Sequence, residues 1–251
     1  MLSKVSPRIG EVPSILNLIK RKTARVVIYF FCKIIKNEKF QHVILISPYP
    51  YFRIHKGNFG QSYEKYWKLD LNRGADKNTT RLRNYFNCNF AQIASRGTNE
   101  VRFLFCGVRN GVSAKVVASY MKNLNYNMKF ILIDPFDGRD DTEAVSLSGC
   151  QKDWDSSINS EWIVDTIPDA LKKNRIKIVN AIFLNTTQFE AELESLPYLF
   201  DSLAKGGVLI MDIYGFIPEV SQKAVDALID KYNFISFMLP SLQLIVMNPF
   251  S

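Results

Sequence analysis

From Val101 onward, short apolar runs alternate with stretches of helical character, and this rhythm constrains the fold more than any other feature of the chain. The runs are RFLFCG, KFILID, NAIFLN and GVLIMDIYG, and residues 112–124, 167–174, 188–204 and 217–231 read as helices. Strands that are apolar along nearly their whole length are covered on both faces, and helices between strands make parallel crossovers. The expected class is therefore α/β with a mostly parallel sheet. The end of the chain breaks the rhythm. NFISFML, the pair Pro240 and Ser241, and LQLIVMN leave no room for a helix and read as an antiparallel hairpin.

The N-terminal part has a different character. Residues 1–100 carry 18 Lys and Arg against 6 Asp and Glu, whereas residues 101–251 carry 14 against 18. The basic excess is confined to the first part, where it suits phosphate, anionic lipid or an acidic partner. A length of 251 residues suits one α/β domain, expected at 79–251, behind a basic, mainly helical extension at 1–78. Within that extension, residues 12–37 read as one or two helices. The segment ARVVIYFFCKII is apolar, but Arg25 and Lys33 interrupt it and it falls short of the ~20 residues of a membrane span. Its basic and aromatic residues suit peripheral contact with an anionic membrane; the alternative is packing on the main domain or on a second copy in a homodimer. HVILISPYPYF starts as a strand and stops at its prolines. GNFGQSYEKYWKLDLNRGADKN reads as a mobile flap, followed by a helix at 79–94. The start of the sequence lacks the apolar core of a secretory signal, and Cys32, Cys88, Cys106 and Cys150 are too widely spaced for a zinc or disulfide framework. Both point to a cytoplasmic protein, with the inner membrane face as a peripheral site.

The first run ends in the turn Gly107-Val108-Arg109-Asn110-Gly111-Val112-Ser113. Two glycines let backbone approach a ligand, and the following helix offers free N–H groups. The second run ends in Asp134, 27 residues beyond Gly107. An acid at that place can accept both hydroxyls of a ribose. The pattern fits NAD and S-adenosylmethionine alike, but the closing hairpin argues against a dehydrogenase.

GVRNGVSAKVVASY, IDPFDG, DTIP and FLNTTQFEAELESLPYLFDSLAKGGVLIMDIYG, in this order and followed by the hairpin, resemble the macrocin O-methyltransferase family. The resemblance covers about residues 80–250. It implies a Rossmann-like class I methyltransferase fold, S-adenosylmethionine as cofactor, and a sugar hydroxyl as methyl acceptor. It also implies that Gly107, Arg109, Asn110, Gly111 and Ser113 line the cofactor's methionine end. Asp134 would hold the ribose, with Phe136 and Trp162 near the adenine. Tyr214 and Gly215 match the end of the family's DDYG.

The chain departs from the family in two places. Phe105 stands where an acid ends the first strand. Of the three carboxylates that bind Mg²⁺ in the family, only Asp212 remains; Asn185, Thr187 and Ile213 stand in the surrounding motifs. A tight Mg²⁺ site is not expected, because that ion needs hard, charged oxygen ligands, and no metal ligands are assigned. Asp212 is then the candidate general base, Asn185 a residue that orients it or the acceptor, and His55 in the flap a second base candidate. The first reading is an O-methyltransferase acting on a small-molecule or glycan hydroxyl with little metal dependence. The alternative is a non-catalytic binding or scaffold protein of the same fold. A nucleic-acid methyltransferase is third, because the basic excess avoids the second half and no aromatic-basic groove marks it.

Overall fold

RFLFCG and KFILID form the neighbouring parallel strands β1 (Val101–Cys106) and β2 (Met128–Asp134), with Phe103 opposite Phe130. A further parallel strand, β3 (Asn159–Val164), pairs with the outer side of β2. NAIFLN and GVLIMD supply β4 (Val179–Leu184) and β5 (Leu203–Met211), and the hairpin forms β6 (Ile235–Met238) and β7 (Leu244–Met247). β7 runs antiparallel to both β5 and β6. Among the described residues the sheet has seven strands in the order β3-β2-β1-β4-β5-β7-β6. The parallel strand order reverses between β1 and β4, and such a switch point opens a crevice at the carboxyl ends of the strands.

This computed structural model describes residues 58–66, 77–137, 146–174, 176–186, 188–212, 214–239 and 241–249, all within the unit Arg53–Ser251. The N-terminal helix and strand expected at 12–37 and 42–52, with the membrane and dimer contacts assigned to them, lie outside the described residues. So do His55, Thr187 and Ile213.

Helices α1 (Asn58–Tyr66), α2 (Lys77–Ala94) and α3 (Val112–Asn123) pack against one another, and α2 rests on β4 and β5. The short α4 (Leu147–Gln151) precedes β3. α5 (Ile167–Asn174), α6 (Phe189–Ser202) and α7 (Glu219–Lys231) bury the other face. There Leu104, Cys106, Ile133, Ile182 and Leu184 meet Leu196, Leu199, Val225 and Ile229. Strand side chains alternate between faces, so Phe103 and Phe105 point the opposite way, into a layer with Phe130 and Phe183. The end of α3 shows why its helix stops. Asn125 takes φ 60°, its N–H donates to Lys122 O, and Tyr126 N–H donates to Met121 O. That is a Schellman closure with asparagine in the left-handed position.

Two elements differ from the expectation. Apolar runs do not mark β3, because NSEWIV lies at the sheet edge with its residues exposed or half-buried; the family resemblance, in counting NAIFLN as its fourth strand, leaves room for one there. The flap also contains a helix. Phe59, Tyr63 and Tyr66 recur at i, i+4 and i+7 and are all buried. Phe59 stacks on Tyr63 and meets Tyr85 of α2 edge-on, with centroids 5.3 Å apart. An aromatic stripe at that spacing is a helix face.

No helix among the described residues is long and apolar enough to cross a membrane.

Candidate active site

β1 delivers the chain into the glycine turn, and the neighbouring loop explains why a glycine must begin it. Gly107 has φ +84°, and a Cβ there would lie 2.1 Å from Asn185 O. Gly107 N–H donates to Ile133 O at 3.0 Å, and Asn185 N–H donates to Cys106 O at 2.9 Å. The turn is thus pinned to both neighbouring strands. Arg109 takes φ 53°. Gly111, at φ 75°, is the N-cap of α3. Asn110 Oδ1 accepts from Val112 N–H at 3.2 Å, which satisfies one orphan donor of the first turn. Ser113 is half-buried in that turn.

Asp134 organises this loop. Its Oδ2 accepts from the N–H groups of Val108 and Arg109 at 2.8 and 2.9 Å, and its Oδ1 accepts from Phe136 N–H at 2.8 Å. A carboxylate oxygen has two acceptor sites, so Oδ1 retains capacity for a further donor. The Phe136 ring lies 5.9 Å from that of Trp162. Trp162 donates from Nε1 to Ser160 Oγ at 3.2 Å and meets Trp154 edge-on. Cys150 Sγ donates to Arg109 O at 2.9 Å, tying α4 to the turn.

Phe105, where the resemblance alone would place an acid, is 3% exposed. It lies nearly parallel to Phe183 at 4.2 Å between centroids, and stacks on Phe130 from farther away. It is a packing residue of the sheet face and carries no polar group toward the crevice.

At the next strand ends, Asp212 and Asn185 follow the neighbouring strands β5 and β4. Asp212 N–H donates to Leu184 O at 3.0 Å. Asp212 is 6% exposed, and its Oδ1 accepts from Gln243 Nε2 at 2.5 Å. Gln243 also donates to Asn87 Oδ1 of α2 and accepts from Ser241 Oγ. Burial pushes the Asp212 carboxyl above its ordinary range, against the positive charge of Arg83 and the Gln243 bond, which favour ionisation. Among the described residues the orienting bond to Asp212 comes from Gln243 rather than Asn185. Arg83, Asn87 and Gln243 escape a motif reading because they sit in unremarkable polar positions of α2 and the hairpin. Only the fold brings them to Asp212.

Glu192 is a second buried carboxyl, also missed. It sits in the first turn of α6 and is fully buried. Oε1 accepts from Thr186 N–H at 2.7 Å and from Thr186 Oγ1 at 2.9 Å; Oε2 has no hydrogen-bond partner among the described residues. Desolvation raises its pKa to about 7, against the two Thr186 bonds and with a smaller push from Asp212. The folded state therefore binds a proton that the unfolded chain releases near pH ~4.3. Its contribution to stability is fully present below that pH and is lost as pH rises to about 7, on the order of 3 kcal/mol in all. Glu192→Gln is expected to remove this slope. Denaturant unfolding at pH 5 and pH 8 tests it; an unchanged pH dependence in the variant would clear Glu192 of the effect.

Among the described residues, no three His, Cys, Asp or Glu side chains group so as to hold a metal ion. Asp212 has the cationic Arg83 as its electrostatic neighbour, and Asn185 is neutral. This donor set does not fit Mg²⁺.

No family model matches the chain, and no curated protein sequence does. Solved structures do match. The methyltransferase PaMTH1 of Podospora anserina, bound to SAH, superposes with TM-score 0.57 at 12% identity, over 84% of this chain and 96% of its own. The O-methyltransferase NovP gives 0.54 at 15% identity, over 66% and 79%. The calicheamicin methyltransferase CalS11 gives 0.51 at 14% identity, over 77% and 94%. At these identities the likeness establishes the fold, and the chain has the Rossmann-like class I methyltransferase architecture, a mostly parallel sheet closed by an antiparallel hairpin.

Proposed function

We propose that this protein is an S-adenosylmethionine-dependent O-methyltransferase of macrocin O-methyltransferase type. Its acceptor is a hydroxyl of a sugar or glycosylated metabolite, and it works without a tightly bound metal. The observation that carries the proposal is the buried Asp212 carboxylate at the carboxyl end of β5, held by Gln243, on the edge of the sheet where the glycine turn also lies. The similarity to solved O-methyltransferases supports the reaction class. The gap between the Mg²⁺ requirement and the residues present supports metal independence.

The glycine turn and Asp134 fit the proposed cofactor. Gly107 lets the turn lie directly against the Asn185 backbone, and Asp134 Oδ1, which among the described residues accepts only from Phe136 N–H, keeps an acceptor site that a ribose hydroxyl can use. Arg109, Asn110, Gly111 and Ser113 would border the methionine end, with Phe136 and Trp162 on the adenine side. When bound, S-adenosylmethionine supplies an electrophilic methyl group on a good leaving group. The chain's own contribution is to align the acceptor and take its proton. Burial makes Asp212 a stronger base, while the Arg83 charge and the Gln243 bond act in the opposite direction. Asp212 would take the proton of the acceptor hydroxyl. Asn185, at the end of β4, contacts the acceptor.

Calorimetric titration with S-adenosylmethionine and S-adenosylhomocysteine, with and without Mg²⁺, is the first test. Micromolar affinity that ignores Mg²⁺ is expected, followed by turnover in a panel of nucleotide sugars and glycosides. EDTA is expected to lower that turnover less than about twofold; complete loss restored by Mg²⁺ would refute metal independence. The burial of Phe105 favours a second reading, a non-catalytic binding protein of the same fold, which absence of binding at millimolar cofactor would select.

A further inference from the structure

We infer that Asn84 supplies the hydrogen-bond acceptor for the ammonium of the cofactor's methionine end, in place of the carboxylate absent from β1. This rests on the cofactor reading above. An ammonium carries three donors and needs acceptors once it leaves water. Phe105 offers none, since it is stacked against Phe183 and Phe130. Asp134 lies at the end of β2, where it binds the turn backbone.

Asn84 is 1% exposed. Its Nδ2 donates to Thr80 O at 3.0 Å, which fixes the orientation of the amide. Its Oδ1 is left buried, with no hydrogen-bond partner among the described residues. Folded proteins rarely leave such an acceptor unsatisfied, and an exception asks for an explanation such as a ligand.

The placement of Asn84 suits that ligand. Asn84, Cys88 and Ala91 recur at i, i+4 and i+7, so they share one face of α2. Cys88 and Ala91 are fully buried, and α2 packs on β4 and β5. Asn87, less than one turn further along α2, is bonded to Gln243 and through it linked to Asp212. Arg83, the residue before Asn84, acts on Asp212 by charge. The middle of α2, from Arg83 to Asn87, therefore lies level with the carboxyl end of β5. The carboxyl ends of β1, β4 and β5 are tied side by side, Cys106 to Asn185 and Leu184 to Asp212. Asn84 thus offers its orphan acceptor on the face of the sheet to which Phe105 points, at the end of the sheet that holds the glycine turn.

Two probes separate this role from a structural one. S-adenosylhomocysteine carries the amino-acid end, and 5′-methylthioadenosine lacks it. Both are titrated calorimetrically into the full chain and into Asn84→Leu and Asn84→Ala, with melting temperatures recorded. Either variant is expected to weaken S-adenosylhomocysteine by at least about tenfold and to leave 5′-methylthioadenosine unchanged. Asn84→Leu, which removes the orphan oxygen at similar volume, is expected to melt no lower than the wild type. Unchanged S-adenosylhomocysteine affinity, or equal weakening of both nucleosides, would overturn the inference and leave the cofactor reading standing. If the wild-type chain binds neither nucleoside, the cofactor reading fails and the role of Asn84 fails with it.

Discussion

Asp212→Asn is expected to lower methyl transfer by a factor of roughly 10²–10⁴, the usual contribution of a positioned general base. The affinity for S-adenosylhomocysteine is expected to stay within about twofold. The substitution keeps the shape of the side chain, and its amide oxygen still accepts from Gln243 Nε2, so the network through Asn87 and Ser241 is preserved. What disappears is the capacity to take a proton. Single-turnover release of S-adenosylhomocysteine, measured with the best acceptor of the panel, reads this directly. Unchanged turnover would remove Asp212 from the chemistry.

The pH profile gives an independent reading of the same residue. Burial raises the Asp212 pKa, so the acid limb of kcat is expected above the ordinary carboxylate range and is absent in Asp212→Asn. Stability carries the matching sign. A carboxyl whose folded pKa lies above its unfolded value contributes stability that is lost as pH rises through the folded pKa. Asp212→Asn cannot lose a proton there. Its stability relative to wild type is therefore expected to improve with rising pH, so that activity and stability move in opposite directions. A variant that is merely misfolded would lose both.

The elements that the sequence made legible are those whose residues are apolar along nearly their whole length. RFLFCG, KFILID and NAIFLN are buried on both faces, and a buried parallel strand shows itself as an unbroken apolar run. The glycine turn was legible for a different reason: backbone that must take positive φ or lie against another chain leaves a trace in residue type. β3 was illegible from apolar runs because an edge strand that is half solvated has no such run. The helix Asn58–Tyr66 was hidden by its polar neighbours, although its three aromatics have helical spacing.

The site divides along the same line. Asp134, Asp212 and Asn185 could be singled out because each ends a strand, and strand ends converge on the crevice of a parallel sheet. Arg83, Asn84, Asn87 and Glu192 belong to helices, where a polar residue is ordinarily solvated. Asn84, Asn87 and Glu192 are buried because α2 and α6 press on the carboxyl ends of β4 and β5, a consequence of strand order rather than of local sequence. That Phe105 stands where the resembled family has an acid was legible in the sequence. Its structural meaning was not, because the stack with Phe183 joins positions 78 residues apart.

Gly107→Ala is expected to be the most damaging single-methyl change in the turn, destabilising the chain by about 3–5 kcal/mol, the sum of left-handed strain and overpacking. The new Cβ would sit 2.1 Å from Asn185 O and 2.7 Å from Asn185 C. Both atoms are backbone, so no side chain can swing aside. Neither partner can retreat cheaply, since Gly107 is bonded to Ile133 O and Asn185 to Cys106 O. Relief would break a bond at the ends of three strands at once. Two other glycines separate the contributions. At Gly111 the nearest atom is Lys115 Cε at 3.5 Å, and at Gly97 nothing lies within 4 Å, yet both have φ close to that of Gly107, +75° and +74°. Their alanine variants carry the left-handed strain with little or no crowding and are expected to lose about 1–2 kcal/mol. By thermal unfolding, Gly107→Ala should melt roughly 10 °C below wild type, with Gly97→Ala and Gly111→Ala only a few degrees down. Equal melting of all three variants would mean that the loop after β4 does not press on the turn. The cradle proposed for the cofactor would then be wider than the backbone geometry requires.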